Sequence, residues 1–181
     1  MLTKSLLQKE IRQWSEEVLE SPNEDFNNMP ACPFAKQSWN SGRVQVVLGE
    51  GGLWEDLVDL IKNFDDTYDV IVYCGTDYDE ISAEEFEDRL DILSDVTVPN
   101  DLWIMGTHPY ADDIPHAVNQ DHFEALTEDN YYQIFVQRLG YLVKSSDSIA
   151  RKGYYQNYTE ENFNSLVTKR KERCPVKIKA R

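Results

Sequence analysis

"YDVIVYCG", residues 68–75, is a nearly continuous apolar run of strand length. A half-exposed strand would alternate polar and apolar residues, so this run predicts a central strand covered on both faces. The flanking segments repeat the theme. Upstream, "RVQVVLG" at 43–49 is a short β run ended by "EGG", and "LWEDLVDLIKNF" at 53–64 places apolar residues at helical spacing. Downstream, "SAEEFEDRLDILSDV" at 82–96 pairs Ser82 with Glu85 as a capping box, with Phe86, Leu90 and Leu93 as its buried stripe. "DLWIMG" at 101–106 is a third strand. The order is β-α-β-α-β with short connections, for which two crossovers onto a small, mostly parallel sheet are the simplest α/β solution. A ferredoxin-like α+β arrangement with an added strand is the alternative.

Outside this core, helices predominate. Leu7, Ile11, Trp14 and Val18 give residues 1–20 one buried helical face. "SPNEDFNNMPACP" at 21–33 interrupts regular structure, because its prolines lack donors and bias the residues before them away from helix. "EDNYYQIFVQRLGYLVK" at 128–144 carries a helical stripe at Tyr131, Phe135, Leu139 and Leu142. Thr159 is placed to cap "EENFNSLVTKRKER", with acids in its first turn and bases in its last. Residues 1–181 therefore read as a single compact domain: an N-terminal helix (1–20), a sheet core (43–110), a mainly helical part (111–173) and a basic tail (174–181).

With 181 residues, 41% of them apolar, the chain is long enough for a self-sufficient core. Cys32, Cys74 and Cys174 are an odd number at wide spacing, neither a disulfide framework nor a zinc knuckle. The charged N-terminus is unlike a signal peptide, and no stretch approaches the roughly 20 apolar residues that span a bilayer. A cytoplasmic protein without membrane contact is expected. The net charge of −15 disfavours nucleic acid as a partner. That charge is uneven: residues 144–181 carry ten Lys or Arg against four acids, leaving the remainder at −21. The basic end is expected to lie across the acidic body or to fray into solvent.

The densest chemistry lies in "GTHPYADDIPH", residues 106–116, where the third strand ends. Open parallel sheets bind ligands at the carboxyl ends of their strands. Imidazole and carboxylate there, from His108, Asp112, Asp113 and His116, suit a divalent metal or proton transfer near neutral pH. The plainer account is that His108 hydrogen-bonds the backbone while the aspartates cap a turn. "YCGTDYDE" at 73–80 ends the second strand at the same edge; it offers Asp77 to a shared cleft, with Cys74 a buried strand residue. The glycines of "LGEGGLW", residues 48–54, match no phosphate-binding motif and suit a tight turn. Cys32 sits between Pro30 and Pro33 on a stiff approach to the first strand. Lys36 and Arg43 would lower its pKa if they approached it. Structural burial is the competing account, and no second Cys is near enough for a redox pair.

"CPFAK" at 32–36, the following "RVQVVLG" strand, two βα units and a strand leading to His108-Pro109 resemble a bacterial family called domain of unknown function 1415. The likeness covers roughly residues 10–110 and extends toward 150. It implies that Cys32, Pro33, Phe34 and Ala35 form the Cys-Pro-Phe-Ala segment, and His108 and Pro109 the His-Pro segment. Family members continue with an Asn-Arg-Ser-Pro-Tyr-Pro and then a His-Leu-Leu-Arg segment. This chain has "AVNQDHFEALTEDNYYQIFVQRL" instead, where Asn119, His122 and Arg138 are the nearest stand-ins. The family has no assigned reaction, so the resemblance marks residues without supplying chemistry.

Two functional expectations follow. One is a small enzyme, hydrolytic or redox, with a site of Cys32, His108 and Asp77 at the carboxyl edge of the sheet. Its cofactor is open; a divalent metal would be held by His108, Asp112, Asp113, His116 and Cys32, and its substrate would be a small molecule. The other is a non-catalytic acidic binding or adaptor protein, anchored by Trp39, Trp54 or Tyr110 on a protein partner or a second copy.

Overall fold

The computed structural model describes residues 2–49, 52–111 and 131–176. Thr3 caps helix α1 (Lys4–Trp14) by accepting from the Leu6 N–H, and a wider turn over Ser15–Leu19 extends it. Two-residue strands β1 (Pro22–Asn23) and β2 (Met29–Pro30) pair antiparallel, and α2 (Ala35–Asn40) follows. The central part runs β3 (Val44–Gly49), α3 (Leu53–Lys62), β4 (Val70–Gly75), α4 (Ala83–Thr97) and β5 (Leu102–Thr107). Ser82 accepts from the Glu85 N–H, as the capping-box reading expects. Then come β6 (Tyr132–Arg138), α5 (Leu139–Ala150), α6 (Glu160–Phe163), capped by Thr159, and α7 (Lys169–Arg173).

The fold is α/β, around a four-stranded sheet in the order β3-β4-β6-β5. β3 and β4 pair parallel, while β6 pairs antiparallel with both β4 and β5. Thus β3, β4 and β5 run the same way, but β6 lies between β4 and β5 and makes the sheet mixed. This corrects the expected helix over 128–144: Tyr132–Arg138 is a strand, and helix begins only at Leu139. Tyr132, Ile134 and Val136 are each fully buried on one face, and Tyr131, Gln133 and Phe135 point to the other. That two-residue period coexists with helical spacing at Tyr131, Phe135 and Leu139. Tyr, Ile, Phe and Val favour strands, and the open slot between β4 and β5 supplies ladder partners on both sides.

Both faces of the sheet are covered. Leu53 and Leu57 of α3 and Phe86 and Leu90 of α4 pack on Ile71, Tyr73, Tyr132, Ile134 and Ile104. Leu7 and Ile11 of α1 pack on Val46, Val72 and Cys74 on the opposite face. Leu139 and Val143 of α5 meet Trp103 on that side of β5. Gly140 stands where a Cβ would come within 3.1 Å of Asp101 Oδ1, and its N–H donates to that oxygen at 2.7 Å. Close packing accounts for this glycine. Among the described residues, no helix is long and apolar enough to cross a membrane.

Candidate functional site

The carboxyl ends of β3 and β4 finish level, with Gly49 opposite Gly75. Each glycine lies beneath a tyrosine: a Cβ on Gly49 would come within 2.0 Å of the Tyr73 hydroxyl oxygen, and one on Gly75 within 2.1 Å of that of Tyr132. Both rings are fully buried and run nearly parallel, 6.4 Å apart. Tyr73 donates to Asp56 Oδ2 at 2.9 Å and Tyr132 to Asp77 Oδ1 at 2.7 Å. Burial pushes both phenols up, and the bonds to the carboxylates push them further, so both stay protonated donors.

His108 follows β5 on this face and is only 5% exposed. The Tyr110 N–H donates to its Nδ1 at 3.1 Å, and its Nε2 lies 3.1 Å from the Tyr78 carbonyl oxygen. A ring nitrogen that accepts carries no proton, so the proton sits on Nε2 and donates to Tyr78. The ring stacks on Tyr132 and tilts against Phe86. This matches the plainer expectation for His108, a histidine satisfied by backbone. Tyr132 bridges it to Asp77.

Cys32 lies elsewhere. Its N–H donates to the Leu19 carbonyl, and its own carbonyl accepts from the Ala35 N–H. Neighbouring Ala31 and Phe34 pack with Phe26 and Tyr154, whose hydroxyl donates to the Ala31 carbonyl. Burial raises the thiol pKa, and Glu20 adds to the rise. Neither Lys36 nor Arg43 acts on the thiol to lower it, and Arg43 is paired with Asp69 at 2.8 Å. None of the described contacts joins Cys32 to His108. Asp112, Asp113 and His116 lie outside the described residues. Among the described residues, no group of three or more His, Cys, Asp or Glu side chains is disposed to hold a metal. Of the expected aromatic anchors, Trp39 and Trp54 are each covered by an arginine, Arg12 and Arg89, while Tyr110 is 59% exposed.

No family model, curated protein or solved structure matches the chain.

One concave site adjoins the tyrosine–aspartate pair. A groove of about 580 Å³ runs between β3 and α3, with Val47, Leu60, Ile71 and Tyr73 as apolar lining and Asp56, Asp59 and Asp65 as carboxylates. No Lys or Arg lines it. Hydrogen bonds from Thr67 hold the Asp65 carboxyl below its usual pKa, so it stays ionised. Asp56 and Asp59 stand in no motif, and carboxylates on an amphipathic helix carry no functional signal by themselves. Sequence reasoning passed over Tyr132 because its segment matched a helix.

Proposed function

We propose that the chain is an acidic binding protein whose β3–α3 groove takes a cationic side chain, lysine or arginine, from a partner protein. The supporting observation is the groove itself: three carboxylates over an apolar and aromatic lining that includes no Lys or Arg, with Arg138, which also acts on Asp65, paired to Asp66 outside it. An alkyl stem would lie along Leu60 while its charged head met Asp59 and Asp65, with Tyr68 offering ring surface. The pocket's size is that of an ordinary ligand site. The enzyme reading on Cys32, His108 and Asp77 has less support. Its thiol has a raised pKa, its imidazole is engaged with backbone at both nitrogens, and Asp77 is held by Tyr132.

The test is a fluorescence titration of the full chain with a labelled arginine-rich hexapeptide at several salt concentrations. Binding is expected to weaken with salt and to fall about tenfold in Asp59→Asn/Asp65→Asn, a change of about 1.4 kcal/mol. Glu87→Gln/Asp91→Asn, which removes two exposed carboxylates from α4, is expected to change it little. Equal losses in the two double variants would reduce the effect to net charge and defeat the assignment.

A further inference from the structure

We propose a second site, for a phosphate group, around Arg170. Three bases of the C-terminal helical segment face the body, and two of them find carboxylates: Lys171 meets Asp147 at 2.9 Å and Arg173 meets Asp95 at 3.1 Å. Arg170 is the more deeply placed and meets none among the described residues. Its Nη2 donates to Ser146 Oγ at 3.0 Å, and the groups that act on its charge are the phenols of Tyr155, Tyr158 and Tyr154. Burial lowers the Arg170 pKa, yet a guanidinium remains charged throughout the physiological range.

The tyrosines form a contiguous aromatic cluster. Tyr154 stacks on Phe26 at 5.0 Å, Tyr155 stands edge-on to Tyr154 at 4.8 Å, and Tyr158 edge-on to Tyr155 at 5.0 Å. Phe163 closes the far side of Tyr155 at 5.5 Å. Tyr154 is buried as the floor, whereas Tyr155, Tyr158 and Arg170 are half-buried and reachable from solvent.

A half-buried guanidinium that meets no carboxylate among the described residues keeps its charge open to an anion arriving from solvent. The planar fork of Arg170 leaves N–H donors for two oxygens of a tetrahedral oxyanion, while the hydroxyls of Tyr155, Tyr158 and Ser146 are neutral groups able to donate to others. A phosphate monoester or inorganic phosphate fits this donor set. This site is independent of the acidic groove, which repels the same ligands.

The experiment is a phosphorus NMR titration of the full chain with inorganic phosphate and, separately, glycerol 3-phosphate. A saturable shift is expected with at least one, and the stronger binder tells free from esterified phosphate. Arg170→Met is expected to abolish it, and Arg170→Lys, which keeps the charge but loses the fork, to weaken it about tenfold. Tyr155→Phe is expected to weaken it severalfold, with unchanged circular dichroism as the folding control. Should Arg170→Met fail to fold, the Lys and Phe variants decide. No saturable shift in the parent chain, or equal binding by parent and Arg170→Lys, overturns the site.

Discussion

His108 is held by two backbone contacts, from the Tyr110 N–H to Nδ1 and from Nε2 to the Tyr78 carbonyl, and packs on Phe86 and Tyr132. Such a residue is expected to matter to stability. Replacing it with Ala removes ring packing and leaves a buried carbonyl and N–H unpartnered, so His108→Ala is expected to cost about 2–4 kcal/mol in urea denaturation. A catalytic histidine on a solvated cleft would be nearly neutral in the same assay. The position of His108 at the end of a strand was legible, since "DLWIMG" reads as β and His108 follows it. Its partners were not, because Tyr78 and Tyr132 come from distant segments that only the sheet brings alongside. Cys32 shows the same limit: prolines 30 and 33 announce a stiff loop, but which charges approach the thiol is a tertiary matter.

Among the elements, β6 carries the most consequence. Its Tyr132 ring lies over Gly75, directly across the ladder, at a distance that no Cβ tolerates. Gly75→Ala must displace a fully buried tyrosine and break its bond to Asp77; a loss of about 1–3 kcal/mol is expected in thermal or urea unfolding. On the other face of β6, Gln133 is 1% exposed, and neither its amide nitrogen nor its oxygen has a hydrogen-bond partner among the described residues. Unpaired buried amides are destabilising, so Gln133→Met, similar in size and apolar, is expected to leave stability unchanged or to raise it by about 1–2 kcal/mol. A marked loss of stability in that variant would mean the amide is satisfied in solution. The strands at 43–49, 68–75 and 101–106 and the cap at Ser82 were legible from local pattern. β6 was not, because seven residues satisfy both a two-residue and a helical period, and the choice falls to whichever tertiary slot is free.

At the scale of the whole molecule, proton linkage predicts an alkaline limit. Burial raises Tyr73, Tyr132, Tyr154 and Tyr158 above the ordinary phenol value of 10.0, and pushes the Cys74 thiol from 9.0 up to about 12. The folded chain thus keeps protons that the unfolded chain sheds. This contribution is fully present below pH 9.0 and is lost as the pH rises toward 12, so stability falls through that window. Phenolate absorbance should therefore grow for these four rings together with the loss of far-ultraviolet dichroism. Ionisation at the ordinary phenol value in a chain that stays folded would refute it.

The charge split also plays out globally. Within the basic C-terminal segment Lys171 pairs with Asp147, and Arg173 reaches Asp95 on the acidic body, contacts worth only about 0–1 kcal/mol each at an exposed surface. Charge, core strands, caps and the absence of a cysteine framework are local or additive properties, and residues 1–181 state them without a fold. Three things are relations between segments far apart in the chain: the slot that makes 132–138 a strand, the convergence of Asp56, Tyr73, Asp77 and Tyr132, and the isolation of Arg170 among tyrosines. Each depends on which faces pack together once apolar burial has closed both sides of the sheet, and only the tertiary structure decides that.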